Sequence, residues 1–175
     1  MDIEFFWNLI ERTFKSTNGN LSKQVELLTQ LLAQGSVGDI ADYKAIMDNL
    51  MDGAYDARLW DAASIVNCGC SDDDFDYFRA WLIAHGKDAY EKALLDPEIL
   101  VDLVEIDEWA ADELFLYTAD YAYERKTGQE LPARVCRQGK TQLRGEFWPK
   151  ESINQRFPKL AAKFGDCSLR FSASS

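Results

Sequence analysis

Apolar side chains recur at steps of three and four along most of this chain, the period of a helix with one buried face. Ile3, Phe6, Ile10 and Phe14 predict a first helix over residues 2–15, closed by the turn Asn18-Gly19-Asn20. Leu21, Val25, Leu28 and Leu32 predict a second, over Leu21–Gln34, with Gly35 as its stop. From Asp39 to Val66 the pattern stays helical through Tyr43, Ile46, Met47, Leu50, Met51 and Ala54. Gly53 interrupts it at a cost of about 1 kcal/mol against alanine, so two helices are expected there, the second carrying Leu59, Trp60 and Ile65.

Asn67-Cys68-Gly69-Cys70 reads as a loop, and Ser71 as the N-cap of the next helix. Asp72, Asp73 and Asp74 fill that helix's first turn, where carboxylates oppose the positive end of the helix dipole. Phe75, Phe78, Trp81 and Leu82 form its apolar face, and His85-Gly86 ends it. A short helix over 87–95 follows, and Asp96-Pro97 opens another. Leu103, Ile106, Ala110, Leu114, Tyr117 and Tyr121 then predict one long helix over Val101–Lys126, buried along that stripe and stopped by Thr127-Gly128. Residues 132–147 read as an exposed basic loop, 147–164 as one or two short helices, and 166–175 as a frayed tail. No alternating strand pattern is present. The expectation is an all-α single domain of seven to nine helices over 1–165, an acidic body over 1–127 with a basic segment, 128–165, packed on it.

Charge changes the picture by restricting partners. The 175 residues carry 19 Lys and Arg against 30 Asp and Glu, a net of -11. Residues 1–125 hold 9 basic and 26 acidic side chains, a net of -17, whereas 126–175 hold 10 and 4, a net of +6. Free nucleic acid and anionic membranes would be repelled, and basic or neutral partners favoured. The acidic start Met1-Asp2-Ile3-Glu4 does not resemble a signal peptide, and no stretch approaches about 18 uninterrupted apolar residues. A cytoplasmic location is expected, with Cys68, Cys70, Cys136 and Cys167 reduced and without a catalytic role.

Leu59-Trp60-Asp61-Ala62-Ala63, Gly69-Cys70-Ser71-Asp72-Asp73-Asp74-Phe75, Phe78-Arg79-Ala80-Trp81-Leu82-Ile83, Gly86 and Asp96-Pro97 together resemble a bacterial family known as domain of unknown function 4240. Phe6-Trp7-Asn8-Leu9-Ile10-Glu11, Tyr123–Gly128 and Phe157-Pro158-Lys159-Leu160 extend the resemblance. The chain departs from it at Cys68, where glycine is expected, and over 132–147. The resemblance implies a single helical domain and supplies no reaction, cofactor or catalytic residue.

Candidate chemistry is sparse. Asp72, Asp74 and Asp76 alternate as in a calcium loop, but Tyr77 and Ile83 stand where an EF-hand needs Gly and Glu, so capping is favoured and no metal is expected. His85 is the only histidine, and any nucleophile–base pair would join it to Cys70 or Ser71. Arg79, one turn from Asp76, reads as a structural ion pair before a ligand clamp. Cys70, Ser71, Asp72, Arg79 and His85 therefore define a candidate cleft for an enzyme or small-ligand binder, the weaker of two readings. The stronger rests on two acidic stripes, Asp48, Asp52 and Asp56, and Glu105, Glu108 and Asp112, expected to face outward along helices. On that reading the protein is a non-enzymatic module that docks a basic protein, as an inhibitor, immunity-type protein or regulatory adaptor does. Trp7, Trp60, Trp81, Trp109 and Trp148 are expected as core or near-core anchors, and an exposed cluster among them would mark an interface.

Overall fold

A computed structural model describes residues 1–132 and 142–167. Among them the chain is all-α: α1 (Ile3–Ser16), α2 (Leu21–Gln34), α3 (Val37–Gly53), α4 (Ala57–Val66), α5 (Asp72–Ala84), α6 (Lys87–Leu95), a 3-10 turn (Pro97–Ile99), α7 (Leu100–Leu103), α8 (Glu113–Leu116), α9 (Thr118–Thr127), α10 (Lys150–Arg156) and α11 (Pro158–Phe164). The predicted basic loop lies partly, and the predicted tail mostly, outside the described residues, as does Cys136.

Most helix starts are fixed by local caps. Asp2 accepts the Phe5 N–H at 2.8 Å and Asn20 the Lys23 N–H at 3.0 Å. Ser36 with Asp39, and Ser71 with Asp74, form reciprocal capping boxes that satisfy two end groups apiece. Gly53 ends α3 where α6 crosses it: a Cβ there would stand 2.7 Å from the Tyr90 hydroxyl, which donates to the Leu50 carbonyl at 2.7 Å. Gly86 joins α5 to α6 at φ +98°, a conformation open to glycine and strained for other residues.

The core is organised around α5, whose residues 78–84 are all buried. Trp60, Phe75, Phe78, Trp81 and His85 stack in sequence along it, with successive ring centroids 4.5, 6.1, 5.7 and 4.1 Å apart. Offset aromatic pairs of this kind contribute about 1 kcal/mol each beyond the area they bury. α9 lies along α2 and α3. Gln24, fully buried, ties α2 to its neighbours by donating to the carbonyls of Ala84 at 3.0 Å and Ile10 at 3.3 Å.

One predicted element is replaced. Residues 101–126 do not form a long helix: α7 closes after one turn, 104–112 run as an irregular arch, and the helix resumes as α8 and α9. The cause is a set of polar partners from elsewhere in the chain. The buried Asn67 side chain donates to the Ala110 carbonyl at 3.1 Å and accepts the Ala110 N–H at 3.0 Å, doing what another backbone would do in a ladder. Glu108 accepts from Trp81 Nε1 at 3.0 Å and from the Glu105 N–H at 3.2 Å. Asp112 caps α8 through the Phe115 N–H at 3.0 Å. These bonds satisfy groups that an α-helix would otherwise have to pair internally.

The buried face changes with the break. Of the predicted stripe, Ile106, Leu114, Tyr117 and Tyr121 are exposed, at 50%, 48%, 40% and 37%, while Val104, Ala110, Phe115, Ala119 and Ala122 face the core.

The C-terminal segment is seated by polar contacts to the backbone of the body. Ala57 N–H donates to the Arg144 carbonyl at 2.9 Å, and Arg144 N–H to the Tyr55 carbonyl at 3.0 Å. The Arg144 guanidinium donates to the Gly53 carbonyl, and Lys163 Nζ to the carbonyls of Val101 and Val104 at 2.7 and 2.8 Å. The two cations thus complete the carbonyl ends of α3 and α7, where positive charge is favoured. Cys68 and Cys167 form a disulfide, with Cα atoms 5.6 Å apart. That corrects the expectation of four reduced thiols. Cys68 takes φ +57°, left-handed backbone at the one position where the family resemblance calls for glycine.

Candidate functional site

The predicted cleft does not assemble. Ser71 and His85 cap opposite ends of α5, about 20 Å apart at a rise of roughly 1.5 Å per residue, so no nucleophile–base pair joins them. Ser71 is committed to its capping box with Asp74, whose carboxyl is held below the usual carboxylate range by the two bonds from Ser71. Asp72 is exposed in the same turn. His85 packs on Trp81 and Phe14 with Nδ1 2.8 Å from the Trp81 carbonyl, and burial lowers its pKa, which favours the neutral ring. Arg79 is buried and saturated: it bonds the Met51 carbonyl at 2.6 Å, the Phe75 carbonyl at 3.3 Å and Asp76, and lies over the rings of Tyr55 and Phe75. It braces α3 against α5.

The predicted acidic stripes are divided among structural tasks. Asp48 pairs with Lys44, Asp52 is half-buried, and Asp56 caps α4 through the Arg58 N–H at 3.0 Å. Glu108 and Asp112 hold the arch and the start of α8, and Glu105 stands exposed beside them without a shared helix face. Burial raises the Asp112 pKa.

Two other arrangements emerge. On α8 and α9, Leu114, Tyr117 and Tyr121 are exposed at steps of three and four, next to Tyr77 of α5, whose hydroxyl donates to Glu113 at 3.3 Å. Desolvation raises the pKa of both Tyr77 and Tyr121, with Glu113 and then Asp73 adding to it at Tyr77, and Glu113, Asp120 and Asp112 at Tyr121. Beside them lies a groove of about 380 Å³ lined by Tyr117, Asp120, Tyr121, Glu124, Glu130 and Leu131. Rings and carboxylates are interleaved here, and no Lys, Arg or His lines the groove among the described residues. Of the tryptophans, Trp109 is exposed, at 43%, and Trp148 is partly buried against the core.

The second arrangement is a cavity of about 720 Å³ between α4 and the C-terminal segment. Trp60, Ile65, Phe147, Trp148 and Ile153 supply its apolar walls, Asp61 its one carboxyl group, and the Cys68–Cys167 bridge and Cys70 one rim. The Cys70 thiol is pushed up to about 12 by burial and by Asp74, so it is no ready nucleophile. Cys70 is the single member of the predicted cleft that borders this cavity. Among the described residues no cluster of His, Cys, Asp and Glu is arranged to hold a metal ion, and no helix is long and apolar enough to cross a membrane.

An all-α domain with an arched, carboxylate-stapled face is the class that these features define. A family model described as protein of unknown function (DUF4240) matches residues 1–125, and the chain belongs to that family. The match takes in Asp61, the α5 cap, α8 and most of α9, and ends before the segment that closes the cavity. No curated protein and no solved structure matches the chain.

Proposed function

We propose that this protein is a non-enzymatic interaction module that docks a basic protein, and that the docking face is the tyrosine–carboxylate surface of α8 and α9 rather than the stripes containing Asp48 or Glu105. The observation that carries this is the exposure of Leu114, Tyr117 and Tyr121 among Glu113, Asp120 and Glu124. Apolar rings left in water are costly unless something covers them, and tyrosine is among the residues that concentrate binding energy at interfaces. An arginine or lysine entering the groove would meet two ring faces and three carboxylates, combining cation–π and charge attraction. The net of -17 over residues 1–125 would steer such a partner in from a distance.

The proposed inhibitor, immunity-type or adaptor roles all have this form. A cytoplasmic setting belongs to the same proposal, and the Cys68–Cys167 bridge weighs against it, since such bridges persist mainly in oxidising surroundings.

The test is affinity capture from the source cell with wild type, with Tyr117→Ala/Tyr121→Ala, with Glu113→Lys/Glu124→Lys, and with Glu91→Lys on the exposed side of α6 as control. A stoichiometric basic protein retained by wild type and control, and lost by both patch variants, is the expected result. Retention by the patch variants, or a partner of acidic character, would overturn the proposal.

A further inference from the structure

The cavity between α4 and the C-terminal segment lies apart from the proposed docking face and has its own chemistry. Its volume, about 720 Å³, falls within the range of roughly 300–1,000 Å³ typical of small-molecule sites. Trp60 is stacked on Phe75 from one side and met edge-on by Phe147 at 5.3 Å, so its ring is held rigidly at the wall. Trp148 is fixed in the same way, against Phe157 at 5.0 Å. One face of Trp148 already carries a cation, the Arg156 guanidinium 4.4 Å from the ring centre.

The polar side of the cavity is asymmetric. Asp61 is 4% exposed and accepts the Trp148 N–H at 3.1 Å. That neutral bond is the one hydrogen bond it makes among the described residues, and none of their cations pairs with it. A carboxyl group in this position has acceptor capacity left over and no counter-charge, which makes burial expensive for its ionised form. The remaining polar lining is Ser64, whose hydroxyl donates to the Trp60 carbonyl at 2.9 Å, and Asn154. Among the described residues no Lys, Arg or His lines the cavity, so they offer a ligand anion no cationic partner. A neutral apolar guest would fill the walls and leave Asp61 uncompensated.

We propose that this cavity binds a compact organic cation, an amine or quaternary ammonium, with Asp61 as counter-ion and Trp60, Phe147 and Trp148 as π walls. Rigid electron-rich rings around a carboxylate are the arrangement that attracts ammonium groups in preference to neutral or anionic molecules of the same size.

The test titrates the full oxidised chain with benzyltrimethylammonium, benzyl alcohol and benzoate, reading tryptophan fluorescence and calorimetric heat. The cation is expected to bind at least tenfold more tightly than the alcohol, with no binding of benzoate. Asp61→Asn should remove that tenfold preference while leaving the alcohol unchanged, and Phe147→Ala, at a half-exposed wall position, should weaken both. Equal affinity for cation and alcohol in the wild type, absence of any binding, or an undiminished preference in Asp61→Asn would each overturn the proposal. The wild-type comparison needs no variant to fold.

Discussion

The first five helices and the chain beyond residue 103 are stabilised in different ways. In α1 to α5 the polar group that closes each helix start lies two or three residues from the amide it serves: Asp2, Asn20, Ser36, Asp56 and Ser71. Beyond residue 103 local bonds at Glu108 and Asp112 are joined by partners 27 to 99 residues away: Trp81 on Glu108, Asn67 on Ala110, Lys163 on Val101 and Val104, Asp61 on Trp148, Cys68 on Cys167. Local caps let each helix form on its own terms. Distant staples make the second region conditional on the first; the docking face belongs to that conditional part, and the cavity needs it to close over α4.

The contrast predicts that cutting a staple costs more than cutting a cap. The largest effect belongs to the bridge. Closing a loop of 99 residues removes about 4–5 kcal/mol of chain entropy from the unfolded state. Cys167→Ser is expected to lower unfolding stability by about 4 kcal/mol, read as a shift of the urea midpoint without reductant. Wild type in dithiothreitol should fall to the same midpoint. Identical curves with and without reductant would mean that the two regions are held together by packing and hydrogen bonds alone.

Asn67→Ala comes next. It strands the N–H and C=O of Ala110, which is fully buried. Each buried orphan costs about 1–3 kcal/mol, so a loss of about 3 kcal/mol is expected after partial relaxation. The loss should come with faster amide exchange across 104–112 and little change in α1 and α2. Uniform acceleration throughout the molecule would show that the arch is no separate unit.

The same division decides what was legible in the sequence. Ser71 with its acidic first turn, Gly35 and Gly128 mark helix ends correctly because the physics that ends those helices sits beside them, and Gly53 marks the end of α3 although Tyr90 and Arg144 meet it from far along the chain. The period Leu103, Ile106, Ala110, Leu114, Tyr117 and Tyr121 is real, yet periodicity reports that a face exists and not which side of it meets the core. Nothing near Ala110 announces that Asn67 will take both of its backbone groups. Tyr117 and Tyr121 are therefore visible in the pattern but fall on the side it points inward, and Glu105, Glu108 and Asp112 look in the sequence like one charged row. The cavity was hidden for the same reason. Asp61 stands in the most specific part of the family resemblance, but its surroundings depend on Phe147 and Trp148, more than 85 residues on. The pairing of Cys68 with Cys167 is likewise a fact of topology, hinted at only by a cysteine where glycine was expected.

The smallest effect should come from a cap, and Ser71→Ala measures it. Ser71 accepts the Asp74 N–H at 3.2 Å and donates to the Asp74 carboxylate at 2.7 Å, while its own N–H reaches that carboxylate at 3.0 Å. Losing an N-cap hydroxyl costs about 1 kcal/mol. The change is confined to the first turn of α5, because Phe75 and Phe78 still bury that helix. The pH dependence separates this cap from plain loss of packing. Asp74 has a folded pKa below its ordinary value of 3.8, so its contribution is present above that value and is lost as pH falls through the folded pKa. In wild type, stability should decline on acidification below about pH 4. In Ser71→Ala the midpoint starts lower at pH 7, and its acid decline should be shallower, since the hydroxyl that most favours the ionised carboxylate is gone. Parallel acid limbs in the two proteins would assign the cost to lost backbone capping alone. A loss at pH 7 as large as that of Asn67→Ala would break the comparison, placing the α5 start among the groups on which the whole fold depends.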